Sequence, residues 1–576
     1  MLRRFSLAFA LLCMAGSFAF SETAPQRQSS SSPPVVLVAQ KTARTTRPTT
    51  GAKLTKPSVT VLLSSTDDVL ADLKYVFNLA KSERSFQTLT DTLDVFLTGI
   101  DREKPIGVRS YLVNGTLAHI TSLPVRTERD LKDFLENASS LDVKSRAVPG
   151  NRNLYQLSKL LEAFLRYDPQ SHQAYIGEKR EYVQSVKAAP QADLLKGYDV
   201  AAVIENDAAD QESRREAFGK IRKETLGGLK KKATEKQSTF DIRKLAAEHQ
   251  FDELERFFVE SANITLGWTT SVKDKTASLN IDLRALPETS LAESVDLLGT
   301  SPDQFAGISS EGTVLSGSVN FPIDSMRKGH LKESTQLSRK TAHDRIDDDK
   351  DLSADQKTID REVSDLAFDI VDSVADLGVF NGFIRVSPPE KGLLCAVGAI
   401  KLPSEEKVLA ILDKLAKRGG KTEVKRDVDS EGDVKIHALT LPELHEKFPE
   451  IVPDNGVVYV GTSKSAAWLA SGHQALDRLK EAIKTAKTDD SKNTVGLDLT
   501  VKFRPFIEIL DKRGDGPKEA KELRKMALEA FQNGTDIMHV KLERVEKDAK
   551  VHVQFHEDLI RFAGKVMAKF VSESLE

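Results

Sequence analysis

The sequence predicts an α+β protein of two tandem homologous halves, each a mostly antiparallel meandering sheet with helices packed on one face. Three observations carry this expectation. Strand patterns and helical patterns alternate along residues 58–576. Hairpin signals join many of the strands directly, so neighbouring strands run antiparallel. Matched features recur at a nearly constant spacing: Phe134 answers to Ile411, Gly150 to Gly432 and Gly177 to Gly461.

The body begins near Ser58. A strand is expected at Val59 to Leu63 and a helix at Asp67 to Ala80. A second helix, Phe86 to Ile100, places Phe86, Leu89, Leu93, Phe96, Leu97 and Ile100 on one face by steps of three and four. A hairpin follows, Val108 to Val113 and Thr116 to Leu123, turning at Asn114-Gly115. Asn-Gly suits that turn because both central positions need positive φ. A helix with Leu131, Phe134, Leu135 and Ala138 inward closes the module.

The order strand–helix–helix–hairpin–helix then recurs. From Asp199 it reads Val200 to Ile204, Gln211 to Leu226, Phe251 to Ala262, a hairpin turning at Lys273-Asp274-Lys275, and a helix carrying Leu291, Val295 and Leu298. From Thr313 it includes a long helix, Asp355 to Leu377, opened by the capping box Ser353 and Gln356 and ended by Gly378. From Val495 it includes a hairpin of Ile537 to Val545 with Val551 to Phe555. Leu-Pro closes three of the hairpins, at Leu123-Pro124, Leu286-Pro287 and Leu402-Pro403.

Between the first and second modules, and between the third and fourth, lies a different segment. One copy turns at Pro149-Gly150-Asn151 and the other at Ser430-Glu431-Gly432. The expected division is therefore residues 58–302 and 303–576, two copies of one unit.

Ahead of the body, residues 1–21 read as a secretory signal peptide. Arg3 and Arg4 precede an apolar run from Phe5 to about Phe20, and small residues at Ser17, Ala19 and Ser21 fit a cleavage site. The run is shorter than the roughly 20 residues of a membrane span. Cys13 does not follow a lipobox, because Leu12 stands where a small residue is required. Residues 22–57 are rich in Ser, Thr and Pro, as in Ser29-Ser30-Ser31-Ser32-Pro33-Pro34, and read as a disordered leader. Export implies the periplasm, the cell surface or the extracellular space. Cys395 lies in an apolar run with no partner in the mature chain, so no disulfide is expected.

Composition narrows function by exclusion. Eighty-three basic and 86 acidic residues give a net charge of −3, without the basic footprint of a nucleic-acid binder. Gly419-Gly420-Lys421-Thr422 imitates a phosphate loop, but Leu415 stands where its first glycine belongs, and a helix precedes it. Asp427-x-Asp429-x-Glu431-Gly432 imitates a calcium loop, but its twelfth position is Ala438. Asp347-Asp348-Asp349-Lys350-Asp351 reads as a solvated turn between helices. His552 and His556 are four apart on a strand, roughly 13 Å, too far to share a metal. Ser325-x-x-Lys328 lacks the accompanying elements of a serine–lysine hydrolase. Trp268 and Trp468 read as packing residues. No catalytic, cofactor-binding or metal residue is assigned.

The element order, and the phrase Ser318-Val319-Asn320-Phe321-Pro322 leading into an acidic helical hairpin, resemble an uncharacterised family of exported proteins abundant in planctomycete bacteria. The resemblance implies export and a role outside central metabolism, with no site to carry over.

The expected function is an exported non-catalytic binding or scaffold protein of the cell envelope or extracellular space, its partner an unidentified protein or apolar ligand. The alternatives are a carrier of a lipid or other apolar ligand between sheet and helices, and a hydrolase whose site is assembled from distant residues.

Overall fold

In the first part of the computed structural model, β1 (Val59–Leu63) leads into α1 (Thr66–Leu79) and α2 (Glu83–Leu97). Then come β2 (Ile106–Val113), β3 (Thr116–Pro124) and α3 (Glu128–Ser140). Four strands follow: β4 (Val143–Val148), β5 (Asn151–Lys159), β6 (Ala163–Asp168) and β7 (Gln173–Gly177). A short α4 (Arg180–Ser185) precedes β8 (Val200–Glu205), α5 (Gln211–Gly227) and α6 (Gln237–Glu260). The hairpin β9 (Ser261–Ser271) and β10 (Thr276–Ala285) ends in α7 (Ser290–Leu297).

The second part opens with a short strand, β11 (Asp303–Ala306), and continues with β12 (Leu315–Pro322), α8 (Ser325–Asp348) and α9 (Ala354–Leu377). The hairpin β13 (Val379–Glu390) and β14 (Leu393–Lys401) is followed by α10 (Glu406–Arg418). Next are β15 (Glu423–Glu431), β16 (Val434–Thr440), α11 (Pro442–Lys447), β17 (Val457–Ser463), β18 (Ala466–Ser471) and α12 (Ala475–Thr485). The chain ends with β19 (Lys487–Asp489), β20 (Val495–Lys502), α13 (Arg504–Arg513), α14 (Lys518–Ala530), β21 (Ile537–Val545), β22 (Asp548–His556) and α15 (Glu557–Leu575).

The structure describes residue 54 and residues 56–113, 116–140, 142–159, 162–186, 192–308, 311–489, 494–514 and 516–575. The expected signal peptide, most of the leader, Cys13 and the Asn114-Gly115 turn lie outside them. No helix among the described residues is long and apolar enough to cross a membrane.

Among the described residues, twenty strands form one sheet in which every pairing is antiparallel. From one edge its order is β4-β5-β6-β7-β3-β2-β1-β8-β9-β10, and then β22-β21-β20-β12-β13-β14-β18-β17-β16-β15 to the other edge. β11 and β19 pair separately. The fold is thus mixed α+β around a large antiparallel sheet. Its middle is the long-range pair β10–β22, which the sequence pattern does not foretell.

Alternation along the strands gives the sheet two unlike faces. At the centre, Ala277, Leu279, Ile281 and Leu283 stand opposite Phe555, Val553, Val551 and Ala549. Leu291, Val295 and Leu298, in and just after α7, pack on this side in a core with Ile264, Leu283 and Ala549. Further along the same face, Val374 of α9 and Val408 and Leu412 of α10 pack with Ile400 and Ala467.

The opposite face also receives helices, which is a departure from the one-sided expectation. Phe383, Cys395, Val397 and Trp468 alternate with residues of the first face and form a core with Ala475, Leu479 and Ala482 of α12. Tyr182 and Val183 of α4 pack with Tyr111, Ile120 and Tyr175 in the same way near the other edge. Large side chains at both sets of positions make these parts of the sheet apolar on both sides, so each side needs cover.

Local chemistry accounts for several elements directly. Ser353 caps α9 by accepting from Gln356 N, while Gln356 Oε1 accepts from Ser353 N at 3.0 Å. Gly378 then ends the helix at φ 70°. Gly150 (φ 77°) and Gly432 (φ 60°) both sit in hairpin turns. Gly177 and Gly461 do not occupy matching places: Gly177 lies on β7 beside β3, whereas Gly461 lies on β17, one strand further from the sheet centre. The helix expected from Phe251 begins earlier, at Gln237. Its added turns lie along α8, where His249 reaches Glu333.

Candidate functional site

Between the parts covered by α4 and α12, the second face of the sheet passes from a small apolar core at β1 and β8, where Leu62 and Ala201 are buried with Leu195, to a polar stretch that begins at β10. On β10 and β22 the facing pairs are Thr276–His556, Ser278–Gln554, Asn280–His552, Asp282–Lys550 and Arg284–Asp548. The same face continues through His539 and Lys541 of β21, Asp498 and Thr500 of β20, and Ser316 and Ser318 of β12. It ends at Arg385 and Phe383 of β13. Six strands from β10 to β13 span roughly 24 Å at the usual strand spacing. The His539 and Asp498 side chains keep 32% and 44% of their exposure.

Hydrogen bonds order this face. His552 Nδ1 donates to Asn280 Oδ1 across the central pair at 2.7 Å. His539 Nε2 donates to Asp498 Oδ1 at 2.8 Å. Burial, reinforced by the His539 ring nearby, holds His552 and His556 below the ordinary imidazole value. Both therefore stay neutral at pH 7. Among the described residues, no group of three or more His, Cys, Asp or Glu is arranged to hold a metal ion.

A cavity of about 260 Å³ opens at the β13 end of this face. Its floor is Ser316, Ser318, Arg385, Asp498 and Thr500, and its wall is Phe305, Gly307, Ile308 and Phe383. Asp303 also lines it, but its carboxylate already accepts from Asn381 Nδ2 and Phe305 N, each at 3.0 Å. Strand register brings these residues together: Ser316 stands opposite both Arg385 and Thr500, and Ser318 stands opposite Asp498. No local motif could report that convergence. The only sequence signal was the alternation of small polar and apolar residues in Leu315-Ser316-Gly317-Ser318-Val319.

A second polar constellation lies away from this face. Asp72 on α1 and Asp199, just before β8, are hydrogen-bonded carboxyl to carboxyl. Burial and the neighbouring Asp199 push Asp72 up to about 7. Burial also raises Asp199, against a hydrogen bond that it accepts from Thr270 N at 2.6 Å. Neither residue lines the 260 Å³ cavity.

The motifs set aside in the sequence have structural employment. Gly419 follows α10 at φ 71°, and β15 comes next, so the glycine pair ends a helix. Asp429 is paired with Lys480 at 3.0 Å, which lowers its carboxyl and occupies the would-be calcium turn. Asp348 pairs with Lys236 at 2.7 Å, and Asp347 pairs with Arg361. Ser325 begins α8, while Lys328 reaches Asp376 at 2.9 Å. Trp468 is core, edge-on to Phe305 at 5.4 Å. The Cys395 thiol is buried and pushed up to about 11.

No family model, curated protein or solved structure matches this chain.

Proposed function

We propose that this chain is an exported, non-catalytic binding protein that presents the polar face of its central strands to a ligand or partner. The observation that carries this reading is the ordered polar surface running from β10 to β13. This surface carries histidines, hydroxyls and amides together with the pairs Asp282–Lys550 and Arg284–Asp548, ordered by cross-strand hydrogen bonds.

A duplicated origin belongs to the same proposal. Counted inward from either edge, the sheet order supports it: β4-β5-β6-β7-β3-β2-β1-β8-β9-β10 from one side falls against β15-β16-β17-β18-β14-β13-β12-β20-β21-β22 from the other, with α11 and β19 as additions to the second series. The order strand, two helices, hairpin, helix is found starting at β1, β8, β12 and β20. Export rests on the signal-peptide pattern, and the link to the planctomycete family rests on the element order and Ser318 to Pro322.

One observation favours a hydrolase instead, the raised Asp72 carboxyl beside Asp199. A glycosidase pair holds its carboxyls roughly 5 Å or more apart, and a proton-sharing dyad hydrolyses only where it opens on a substrate cleft, whereas neither Asp72 nor Asp199 lines the cavity. Here each carboxyl is the other's hydrogen-bond partner, so the pair reads as a shared proton in a packed seam. A lipid carrier needs a deep apolar pocket, whereas the floor of the 260 Å³ cavity is polar.

Covalent footprinting of the purified mature chain tests the proposal. Histidines and lysines are modified with and without an extract of envelope polysaccharides and proteins. Selective protection of Lys541, Lys550, His552 and His556 is expected. Turnover of ester, glycoside or phosphate substrates without that protection overturns the binding reading.

A further inference from the structure

We propose that the cavity beside Arg385 binds a pyranose ring carrying a carboxylate, that is, a uronic acid unit. The inference deepens the binding reading and rests on it, by naming the chemistry taken at one end of the polar face.

The argument starts from an unpaired cation. Arg385 is half-buried and faces the cavity, yet it makes no ion pair or hydrogen bond with any described residue. Other partly or fully buried arginines of this chain are satisfied. Arg256 meets Asp324 at 3.1 Å, Arg327 forks to Glu253 at 2.7 and 2.9 Å, and Arg418 meets Asp360 at 2.7 Å. A planar guanidinium without its own carboxylate is shaped to receive one from a ligand.

The corresponding arginine near the other edge sharpens the point. Arg109 faces Thr60 on β1, as Arg385 faces Ser316 on β12. Arg109 is buried, donates to Ser122 Oγ at 3.2 Å, and lies over the Tyr175 ring at 6.0 Å. Two residues before Arg109 is Gly107, whereas two residues before Arg385 is Phe383. The Phe383 ring packs against Trp468 at 5.8 Å and fills the side toward which Arg109 folds in its own surroundings. Arg385 is thereby left directed at the cavity.

The remaining lining selects the ligand class. Ser316, Ser318 and Thr500 offer hydroxyls with no protein partner among the described residues, which suits a ligand rich in hydroxyl groups. Asp498 is oriented by His539 through one carboxylate oxygen, and the other oxygen is free to accept from a ligand hydroxyl. Phe305 and Phe383 supply the apolar surface on which the C–H face of a sugar ring rests. A volume of about 260 Å³ lies just under the roughly 300–1,000 Å³ of drug-sized sites, so it takes one ring rather than an extended chain.

Isothermal titration of the full mature chain with glucuronate, with glucose as the neutral comparison, tests the proposal. Glucuronate is expected to bind at least 10-fold more tightly than glucose. Arg385→Met should lower glucuronate affinity at least 10-fold and leave glucose unchanged, with an unaltered melting temperature as the check on folding. Asp498→Asn should weaken both sugars. A di- or triglucuronate separates the sources: binding no tighter than the monomer marks a single-unit site, and tighter binding marks a polymer end at the same site. Equal binding of glucose and glucuronate, no binding of any glucuronate, or an unaffected Arg385→Met variant overturns the proposal. Protection of Lys541 and His552 by envelope extract alongside any of those results leaves the broader binding reading standing, so the two failures are distinguishable.

Discussion

The carboxyls of Asp72 and Asp199 hydrogen-bond to each other and join helix α1 to the start of strand β8. Burial first, and then Asp199, raise Asp72 from 3.8 to about 7. In the unfolded chain the same group titrates near its ordinary value, so between about pH 4 and 7 the native state binds more protons than the unfolded one. Stability therefore falls as pH rises through that window. Asp72→Asn keeps an N–H for Asp199 and removes the titration. Thermal melts from pH 4.5 to 8.5 should show a downward slope in the native protein that the variant flattens. At pH 8 the variant should be more stable by on the order of 1–2 kcal/mol, once partial exposure is discounted. Parallel slopes for the two proteins would dismiss the shared proton.

Cys395 gives a kinetic prediction. Its thiol is 4% exposed and pushed up by burial to about 11, so almost none of it is thiolate at pH 8. Native protein should resist a thiol reagent for hours, while protein in 6 M guanidinium should react within minutes. Rapid native labelling would mean that the core of Phe383, Val397 and Trp468 opens readily. The same burial makes Cys395→Ser costly, by about 1–3 kcal/mol, because a hydroxyl would replace a weakly polar thiol among apolar neighbours.

Gly564 offers a case in which two magnitudes oppose each other. It lies inside α15, where alanine would favour the helix by about 1 kcal/mol. A Cβ there would lie 2.5 Å from the Val76 carbonyl oxygen and 2.9 Å from the Ala80 methyl carbon on the α1 side. Overpacking of that kind costs typically about 1–3 kcal/mol, and a backbone oxygen in a helix yields little. Packing should win, and Gly564→Ala should lower the melting temperature. A stabilised variant would show that the α1–α15 contact is looser than the structure has it.

What the sequence disclosed and what it withheld divide by the range of the interaction. The Ser353–Gln356 box, Gly378, Gly150 and Gly432 act through neighbours a few residues away, and all are legible from spacing. So are the hairpins, since a turn and two alternating strands are local. Asp72 and Asp199 are remote in the chain and meet only through the packing of α1 against the sheet end. The Arg385 cavity depends on the register of three strands, β12, β13 and β20, whose order no local pattern encodes. Matching Gly177 with Gly461 failed for the same reason. Two similar Tyr-x-Gly phrases look alike in sequence while standing on strands at different places in the sheet.

The β10–β22 pair carries the last prediction. If 58–302 and 303–576 are two copies of one unit, this seam is where they meet. It joins nine residue pairs, from Thr276–His556 to Arg284–Asp548. Asn280 and His552 stand at its midpoint. The seam is reinforced in the helical layer, where Phe77 packs with Ala568 and Val571 of α15, and where Arg256 of α6 meets Asp324 at 3.1 Å. A fragment of residues 54–302 would expose β10 as a bare edge, with every second backbone group unpaired. Such an edge pairs with whatever strand is offered. A second copy can meet it antiparallel about Asn280, placing Leu279 against Ile281 and Ser278 against Asp282. Light scattering on the purified fragment should therefore find a dimer or larger assemblies. Adding residues 303–576 in equal amount should convert a share of it to a 1:1 complex. By contrast, Arg284→Ala in the whole chain should cost no more than about 1 kcal/mol, because that ion pair lies at the exposed end of the seam. A fragment that stays monomeric and melts cooperatively would mean that each half is self-sufficient and that the seam is a docking contact rather than a shared core.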